Sequence, residues 1–228
     1  MTEEILSARL EKIRKELNEA SGGKYPVPRL IAVTKTRPAE DILLLEKLGI
    51  SEIGENRVQE LREKLPELEG HFRIHLIGRL QRNKVRYIAG SVDMIQSVDS
   101  VPLAEEISRR ALEAERRIPI LIEVNPAGEE QKGGVRPDEV RPLISAIRRL
   151  DGIRIRGLMA VMPLTEDSDL LRRLFTGMRE LYEQLREEAL PGTEIEELSM
   201  GMSGDYRLAA ECGATMVRVG SAIFGPRN

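Results

Sequence analysis

Residues 30–35 read Leu-Ile-Ala-Val-Thr-Lys, a short aliphatic run that ends in a lysine. Runs of this length and composition are typical of buried β-strands. Seven similar aliphatic runs follow along the chain, and segments with helical spacing of apolar residues lie between them. A strand followed by a helix, repeated many times, indicates parallel strands. The eight predicted strands lie at residues 30–34, 50–54, 72–77, 92–98, 118–125, 153–161, 195–200 and 215–219.

Eight parallel strands either close into a barrel or lie open in a doubly wound sheet. The count of eight, without a break in composition, favours a single (β/α)8 TIM-type barrel that spans residues 1–228 as one domain. Only nine residues follow the eighth predicted strand, too few for a full outer helix. An amphipathic helix with Leu6, Leu10, Ile13 and Leu17 on one face precedes the first strand. We expect this extra N-terminal helix to fill the gap.

Composition excludes several classes of function. Hydrophobic residues make up 41% of the chain and charged residues 32%, which is typical of a globular protein. The 35 basic and 38 acidic side chains nearly cancel, so the broad positive field of a nucleic-acid-binding protein is absent. Cys212 is the single cysteine, and no Cys/His cluster has metal-ligand spacing. We therefore expect a cytoplasmic protein with no nucleic-acid, membrane or metal partner.

Chemistry in a barrel of this kind is expected at the C-terminal ends of the strands. The loops after strands seven and eight are the richest in polar and glycine residues, at residues 199–205 and 218–221. Glycine-rich turns and helix N-termini direct backbone N–H groups at a common point, which suits a phosphate group. The sequence therefore predicts a phosphate-bearing ligand.

Lys35 stands directly after the first predicted strand. A lysine at the mouth of an apolar strand can be desolvated, which lowers its pKa and frees the amine for Schiff-base formation. Spacing alone favours the other interpretation, a solvated loop lysine, and only the combination with the phosphate-type loops weakens it. A carbonyl-bearing phosphate ester that is anchored at strands seven and eight and reaches strand one describes pyridoxal phosphate.

Six ordered segments closely resemble the pyridoxal-phosphate homeostasis protein family, and the match spans nearly the whole chain. The resemblance implies a barrel like the N-terminal domain of alanine racemase, with pyridoxal phosphate held as an internal aldimine on Lys35. It also implies a role in intracellular vitamin B6 homeostasis, as a carrier without substantial turnover. The segments are AVTKT at 32–36, GENRVQE at 54–60, HLIGRLQRNK at 75–84, GLMA at 157–160, SMGMS at 199–203 and VRVGSAIFG at 217–225.

The same resemblance assigns roles to individual residues. Lys35 matches the lysine of the aldimine, and Arg218 matches the arginine that faces the pyridine nitrogen. Two departures concern the third strand, where Ile74 and Leu76 flank a histidine that the family often places between Trp and Phe. At Ser221 the family more often has threonine, and serine retains the hydroxyl. The other implied cofactor-binding positions are Asn56 and His75 in the pocket wall, and Ser199, Gly201, Met202, Ser203, Gly220 and Ser221 on the phosphate-binding segments.

A permanently charged Arg218 donates hydrogen bonds and accepts none, so it should keep the pyridine nitrogen unprotonated. A pyridine ring with an unprotonated nitrogen is a weaker electron sink for the carbanion chemistry of this cofactor. Tyr206 is the only tyrosine that the sequence places near the site as a second base. A second domain like that of alanine racemase is not recognisable. These points favour a carrier over a catalyst and give no catalytic residue.

Two other functions stay open at this stage: a pyridoxal-phosphate-dependent racemase or lyase, and a barrel that binds a phosphate ester without covalent chemistry. For a carrier, apo-enzymes that use pyridoxal phosphate are the expected partners, and the chain is expected to be monomeric. Lys84 and Lys132 are candidate acceptors for cofactor transfer, or else ordinary solvated charges.

Overall fold

The computed structural model describes residues 2–129 and 131–225, which contain eight strands and eight α-helices. The strands are β1 Arg29–Val33, β2 Glu52–Glu55, β3 Arg73–Leu76, β4 Met94–Val98, β5 Ile118–Val124, β6 Ile153–Ala160, β7 Thr193–Ser199 and β8 Met216–Val219. They form a closed parallel barrel in chain order, with β8 paired to β1. The predicted barrel is confirmed, and the open sheet is excluded.

The helices form the outer layer of the barrel. Pro38 precedes one helix and Pro102 lies in the first turn of another, where the missing amide proton costs little. A 3₁₀ helix at Arg82–Tyr87 replaces the α-helix between β3 and β4, and a second one at Pro137–Glu139 leads into the fifth α-helix. Among the described residues, no helix has the length and apolarity that crossing a membrane requires. The helices are α1 Glu3–Ser21, α2 Ala39–Lys47, α3 Val58–Leu68, α4 Val101–Glu113, α5 Val140–Ile147, α6 Ser168–Glu188, α7 Tyr206–Glu211 and α8 Ser221–Phe224.

Helix α1 precedes β1 and packs against α7 and α8 at the other end of the chain. Its apolar residues Leu6, Leu10, Ile13 and Leu17 are all buried. Arg9 extends the contact, because its Nη1 donates to the carbonyl oxygen of Ile223 at 2.9 Å. The N-terminal helix therefore covers the part of the ring beside α7 and the four-residue helix α8.

The apolar interior has two separate parts, because successive side chains of a strand point to opposite sides of the sheet. The larger part lies between the barrel and the helices. The smaller part lies inside the barrel, beside buried polar side chains; its members are Ile31, Met94, Leu121, Met159 and Met216. The described inner side chains close the barrel below the C-terminal ends of its strands.

Candidate functional site

A cavity of about 490 Å³ opens at the C-terminal ends of the strands. Its volume is in the range of small-molecule binding sites, roughly 300–1,000 Å³. Val33, Ile77 and Val161 form an apolar part of its lining, at the inward-facing positions where β1, β3 and β6 end. Seven of the ten residues predicted from the sequence line this cavity: Lys35, Asn56, Met202, Ser203, Arg218, Gly220 and Ser221.

Pairing between β1 and β8 brings the two ends of the chain to one site. Ile31 lies opposite Arg218 and Ala32 opposite Val219 in the register of these strands. Lys35 leaves β1 at the same end of the barrel where Ser221 begins α8. A primary amine, a guanidinium and a serine hydroxyl therefore share one cavity although nearly the whole sequence separates them.

Arg218 is buried, with only 3% of its surface exposed. Its Nη1 donates to Ser199 Oγ at 2.7 Å, and its Nη2 donates to the carbonyl oxygen of Ala160 at 2.8 Å. Burial lowers the pKa of Arg218 to about 10, although the charges of Asp205 and Glu123 oppose this shift. The guanidinium remains charged at neutral pH and presents only hydrogen-bond donors to the cavity.

Two serines and a glycine form the side of the cavity near α8. Ser203 Oγ accepts hydrogen bonds from the amides of Gly220 at 3.1 Å and Ala222 at 3.2 Å. A hydroxyl has one donor besides its acceptor positions, so the Ser203 proton is left to point elsewhere. A Cβ at position 220 would stand 3.2 Å from the Cβ of Val33, so a side chain there would crowd the end of β1.

The loop after β7 is held by its own hydrogen bonds. The Met202 amide donates to Asp205 Oδ1 at 2.5 Å. Burial raises the pKa of Asp205, and the bond from Met202 and the charge of Arg218 oppose that shift. Gly201 lies outside the cavity lining; its carbonyl oxygen accepts from the Arg218 amide at 2.9 Å. Gly201 thus supports the backbone of the site, and its contact with a cofactor stays a prediction.

Asn56 lines the cavity just beyond β2. Its Oδ1 atom is buried and has no hydrogen-bond partner among the described residues. The backbone of Asn56 is closely approached by Gly78, where a Cβ would stand 2.3 Å from the Asn56 carbonyl oxygen. An unsatisfied buried acceptor in a cavity is a position where a donor on a ligand would be favourable.

His75 and Ser199 were predicted to be near the cofactor, but the structure places both outside the cavity lining, inside the barrel. Gln96 connects them: its Oε1 accepts from Ser199 Oγ at 2.7 Å, and its Nε2 lies 2.8 Å from His75 Nδ1. Because an amide nitrogen only donates, Nδ1 is the acceptor and the neutral ring carries its proton on Nε2. Gln96 and His75 therefore hold Ser199 in place, and Ser199 in turn holds the Arg218 guanidinium from inside the barrel.

The chain of buried polar groups continues to the opposite end of the barrel, at the starts of β1 and β2. His75 Nε2 lies 3.1 Å from Glu52 Oε2, and Glu52 Oε1 lies 3.2 Å from Arg29 Nη1. Burial alone would raise the pKa of Glu52, but its contact with His75 and the charge of Arg29 bring it below the usual value. The carboxylate of Glu52 therefore ends this chain of buried polar groups, between His75 and Arg29.

Three residues considered from the sequence lie outside the cavity lining. The Tyr206 hydroxyl donates to Glu16 Oε2 on α1, and burial together with this bond raises the pKa of Tyr206 to about 12. Lys84 Nζ lies 5.8 Å from the ring centroid of Tyr87. Lys132 pairs with Glu129 at 2.5 Å in a loop whose residue 130 is outside the described residues.

No group of three or more His, Cys, Asp or Glu side chains within residues 2–129 and 131–225 is arranged to hold a metal ion. Sequence reasoning missed two site features. Thr36 and Arg37 line the cavity beside Lys35, and Gln96 links the inner polar chain. Gln96 carried a signal, since a glutamine in the middle of an aliphatic strand needs buried partners.

The fold and cavity define a barrel of the alanine racemase type, and the family model described as alanine racemase, N-terminal domain, matches residues 8–228. The pyridoxal phosphate homeostasis protein of Aquifex aeolicus is 41% identical over 229 residues, which cover 99% of this chain and 98% of that protein. That of Pasteurella multocida is 39% identical and covers 88% of this chain and 87% of the relative. The chain belongs to the pyridoxal phosphate homeostasis protein family.

Solved structures agree with this assignment. PipY of Synechococcus elongatus, solved with pyridoxal phosphate bound, is 36% identical and superposes with a TM-score of 0.84, covering 96% of this chain and all of PipY. Alanine racemase of Clostridium difficile shares the fold with a TM-score of 0.74 at 16% identity, and this chain covers 60% of its length.

Proposed function

We propose that this protein binds pyridoxal 5'-phosphate as a Schiff base on Lys35 and serves intracellular vitamin B6 homeostasis as a carrier. The observation that carries the proposal is the chemistry of one cavity, where a lysine amine, the buried Arg218 guanidinium and the hydroxyls of Ser203 and Ser221 meet. The names of its relatives, and the ligand of PipY, support the same function.

The residues present fit the groups of this cofactor. The hydroxyls of Ser203 and Ser221 suit the phosphate, because each can donate a hydrogen bond to a phosphate oxygen. Arg218 suits the ring nitrogen, because a donor-only side chain pairs with an unprotonated acceptor. The unpartnered Oδ1 of Asn56 offers an acceptor for a hydroxyl on the ring. When bound, the cofactor supplies an aldehyde that condenses with a primary amine and releases one water.

The surrounding residues support holding the cofactor rather than turning over a substrate. None of the described tyrosines lines the cavity, and Tyr206 is directed at α1. Racemisation by two bases requires a second base on the face opposite Lys35. Arg218, charged and held by Ser199, disfavours proton uptake at the ring nitrogen. Apo-enzymes that need the cofactor are the proposed recipients, and the proposed carrier is a monomeric, single-domain cytoplasmic protein.

Reduction with borohydride tests the proposal directly. Wild-type protein incubated with pyridoxal phosphate and reduced should carry one adduct on the peptide that contains Lys35, located by mass spectrometry. Lys35→Ala should lose the adduct, whereas Lys132→Met, at a lysine paired with Glu129 outside the cavity, should retain it. A wild-type protein without an adduct on Lys35 would show that the proposed linkage is wrong.

Exchange of the α-proton of amino acids into deuterated water tests the enzyme alternative. Loaded wild-type protein should give no exchange above the rate of free pyridoxal phosphate. Exchange that is faster with the protein, and that is lost in Lys35→Ala, would indicate a racemase or lyase instead of a carrier.

A further inference from the structure

Lys64, on α3, is a buried lysine outside the lining of the cavity. Its Nζ donates to the carbonyl oxygen of Thr34 at 2.9 Å, to Glu55 Oε1 at 2.9 Å and to Glu60 Oε1 at 2.6 Å. An ammonium group has three N–H bonds, so each of its donors has a partner. The contacts thus fit a charged Lys64 with no donor left over.

These contacts act on both peptide groups that flank the Cα of Lys35. The Thr34 carbonyl belongs to the peptide bond that precedes Lys35. The Thr36 amide belongs to the one that follows it, and this amide donates to Glu60 Oε1, which also accepts from Lys64. Because each peptide group is planar, holding both restricts the two backbone rotations at Lys35.

Thr36 has a φ of +64°, in the left-handed region. A β-branched residue rarely adopts this conformation, and it persists only where the surroundings hold it. The hydrogen bond from the Thr36 amide to Glu60 is such a restraint. The backbone next to Lys35 is therefore kept in a conformation that the isolated sequence would avoid.

Glu55, at the end of β2, completes the group and is fully buried. Its Oε1 accepts from Thr34 Oγ1 at 2.6 Å as well as from Lys64, whereas its Oε2 has no hydrogen-bond partner among the described residues. A buried carboxylate with an unsatisfied oxygen costs free energy of folding. Stability alone therefore does not account for this arrangement.

We propose that Lys64, Glu55 and Glu60 are positioning residues for Lys35. They fix the backbone on both sides of Lys35 so that its amine enters the cavity in one orientation, and none of the three lines the cavity. This inference rests on the proposed function, because it assigns to Lys35 the reaction with the cofactor aldehyde.

The decisive comparison is Glu60→Ala against Glu60→Gln. Glutamine keeps an oxygen that accepts from the Thr36 amide, and alanine does not. With pyridoxal phosphate as the probe, the rate of adduct formation at Lys35 is followed by absorbance and by borohydride trapping. Glu60→Ala should react roughly tenfold more slowly, as expected for the loss of one charge-assisted hydrogen bond, and Glu60→Gln should react at nearly the wild-type rate.

Lys64→Met should slow the reaction at least as much as Glu60→Ala. Arg179→Met is the matched control, because Arg179 on α6 also joins a carboxylate, Glu183, and a carbonyl, that of Gly213, away from the cavity. It should lose stability in urea and keep the wild-type rate. If Lys64→Met does not fold, the comparison of Glu60→Ala with Glu60→Gln still tests the inference.

Equal rates in wild type, Glu60→Ala and Lys64→Met would overturn the inference and leave the proposed function intact. A wild-type protein that forms no adduct on Lys35 would instead overturn the proposed function. Slow reaction in Glu60→Ala, with recovery in Glu60→Gln and an unchanged unfolding midpoint, supports positioning over a merely structural role.

Discussion

Glu123 is a carboxyl group inside the barrel whose ionisation opposes folding. It lies on β5, and burial, with a smaller contribution from the charge of Asp99, raises its pKa to about 7 against the opposing charges of Arg218 and Arg79. A folded-state pKa above the unfolded value means that the folded protein binds more protons between pH 4.5 and 7. Stability from this group is present below pH 4.5 and is lost as the pH rises through 7.

Glu123→Gln should therefore remove part of the pH dependence of unfolding. Between pH 5 and pH 8, the free energy of unfolding of the apo-protein should fall by roughly 1–3 kcal/mol more in wild type than in the variant. Urea titrations at both pH values measure this difference. Glu187→Gln, at an exposed position on α6, should behave like wild type. Identical pH profiles of Glu123→Gln and wild type would contradict the assignment.

At the scale of elements, the loop from β7 to α7 sets the shape of one cavity wall. Gly201 has a φ of +91°, and a Cβ there would stand 2.5 Å from the Cβ of Ala209 on α7. Gly204, in the same loop, has no atom within 4 Å of a Cβ position. A glycine is therefore required at position 201, both for its positive φ and for its packing against α7, but not at position 204.

Gly201→Ala should reduce the free energy of unfolding by about 1–3 kcal/mol, because it combines a strained φ with overpacking. Gly204→Ala should change it by less than about 0.5 kcal/mol. Thermal and urea unfolding of the two apo-proteins give the comparison. A Gly201→Ala protein as stable as Gly204→Ala would show that α7 adjusts without cost.

Strand positions could be predicted within about two residues, because strands buried on both faces give nearly continuous aliphatic runs. The depth of a side chain inside the barrel could not be predicted from the sequence. His75 and Lys35 both follow from the inward-facing alternation, but their heights along the barrel axis depend on the stagger of the strands, which is a tertiary property. For this reason the sequence predicted His75 in the pocket wall, whereas the structure places it outside the cavity lining, next to Gln96.

For the whole molecule, closure depends on contacts between the ends of the chain. Tyr206, at the start of α7, is tied to Glu16 on α1, and Arg9 is tied to Ile223 in α8. The sequence predicted that α1 would fill the gap in the helical ring because too few residues follow β8. It could not predict the partner of Tyr206, which depends on how α1 is oriented across α7.

Tyr206→Phe should lower the free energy of unfolding by about 1–2 kcal/mol, since it removes a hydrogen bond to a carboxylate. It should leave the affinity for pyridoxal phosphate unchanged, because Tyr206 lies outside the cavity lining. Tyr87→Phe, at a hydroxyl that accepts from the exposed Arg86, is the control and should have little effect. Loss of cofactor binding in Tyr206→Phe at unchanged stability would place the tyrosine in the site after all.

The position of α1 has a consequence for the order of events during synthesis. Its apolar face is covered by elements near the other end of the chain, and the bond from Arg9 to Ile223 spans 214 residues. Such long-range pairing slows folding and delays the burial of apolar surface. While the ribosome is still adding residues 206–225, the first helix has already emerged with Leu6 and Leu10 exposed. A chaperone that recognises short amphipathic helices should therefore protect the nascent chain from aggregation until the last strand closes the ring.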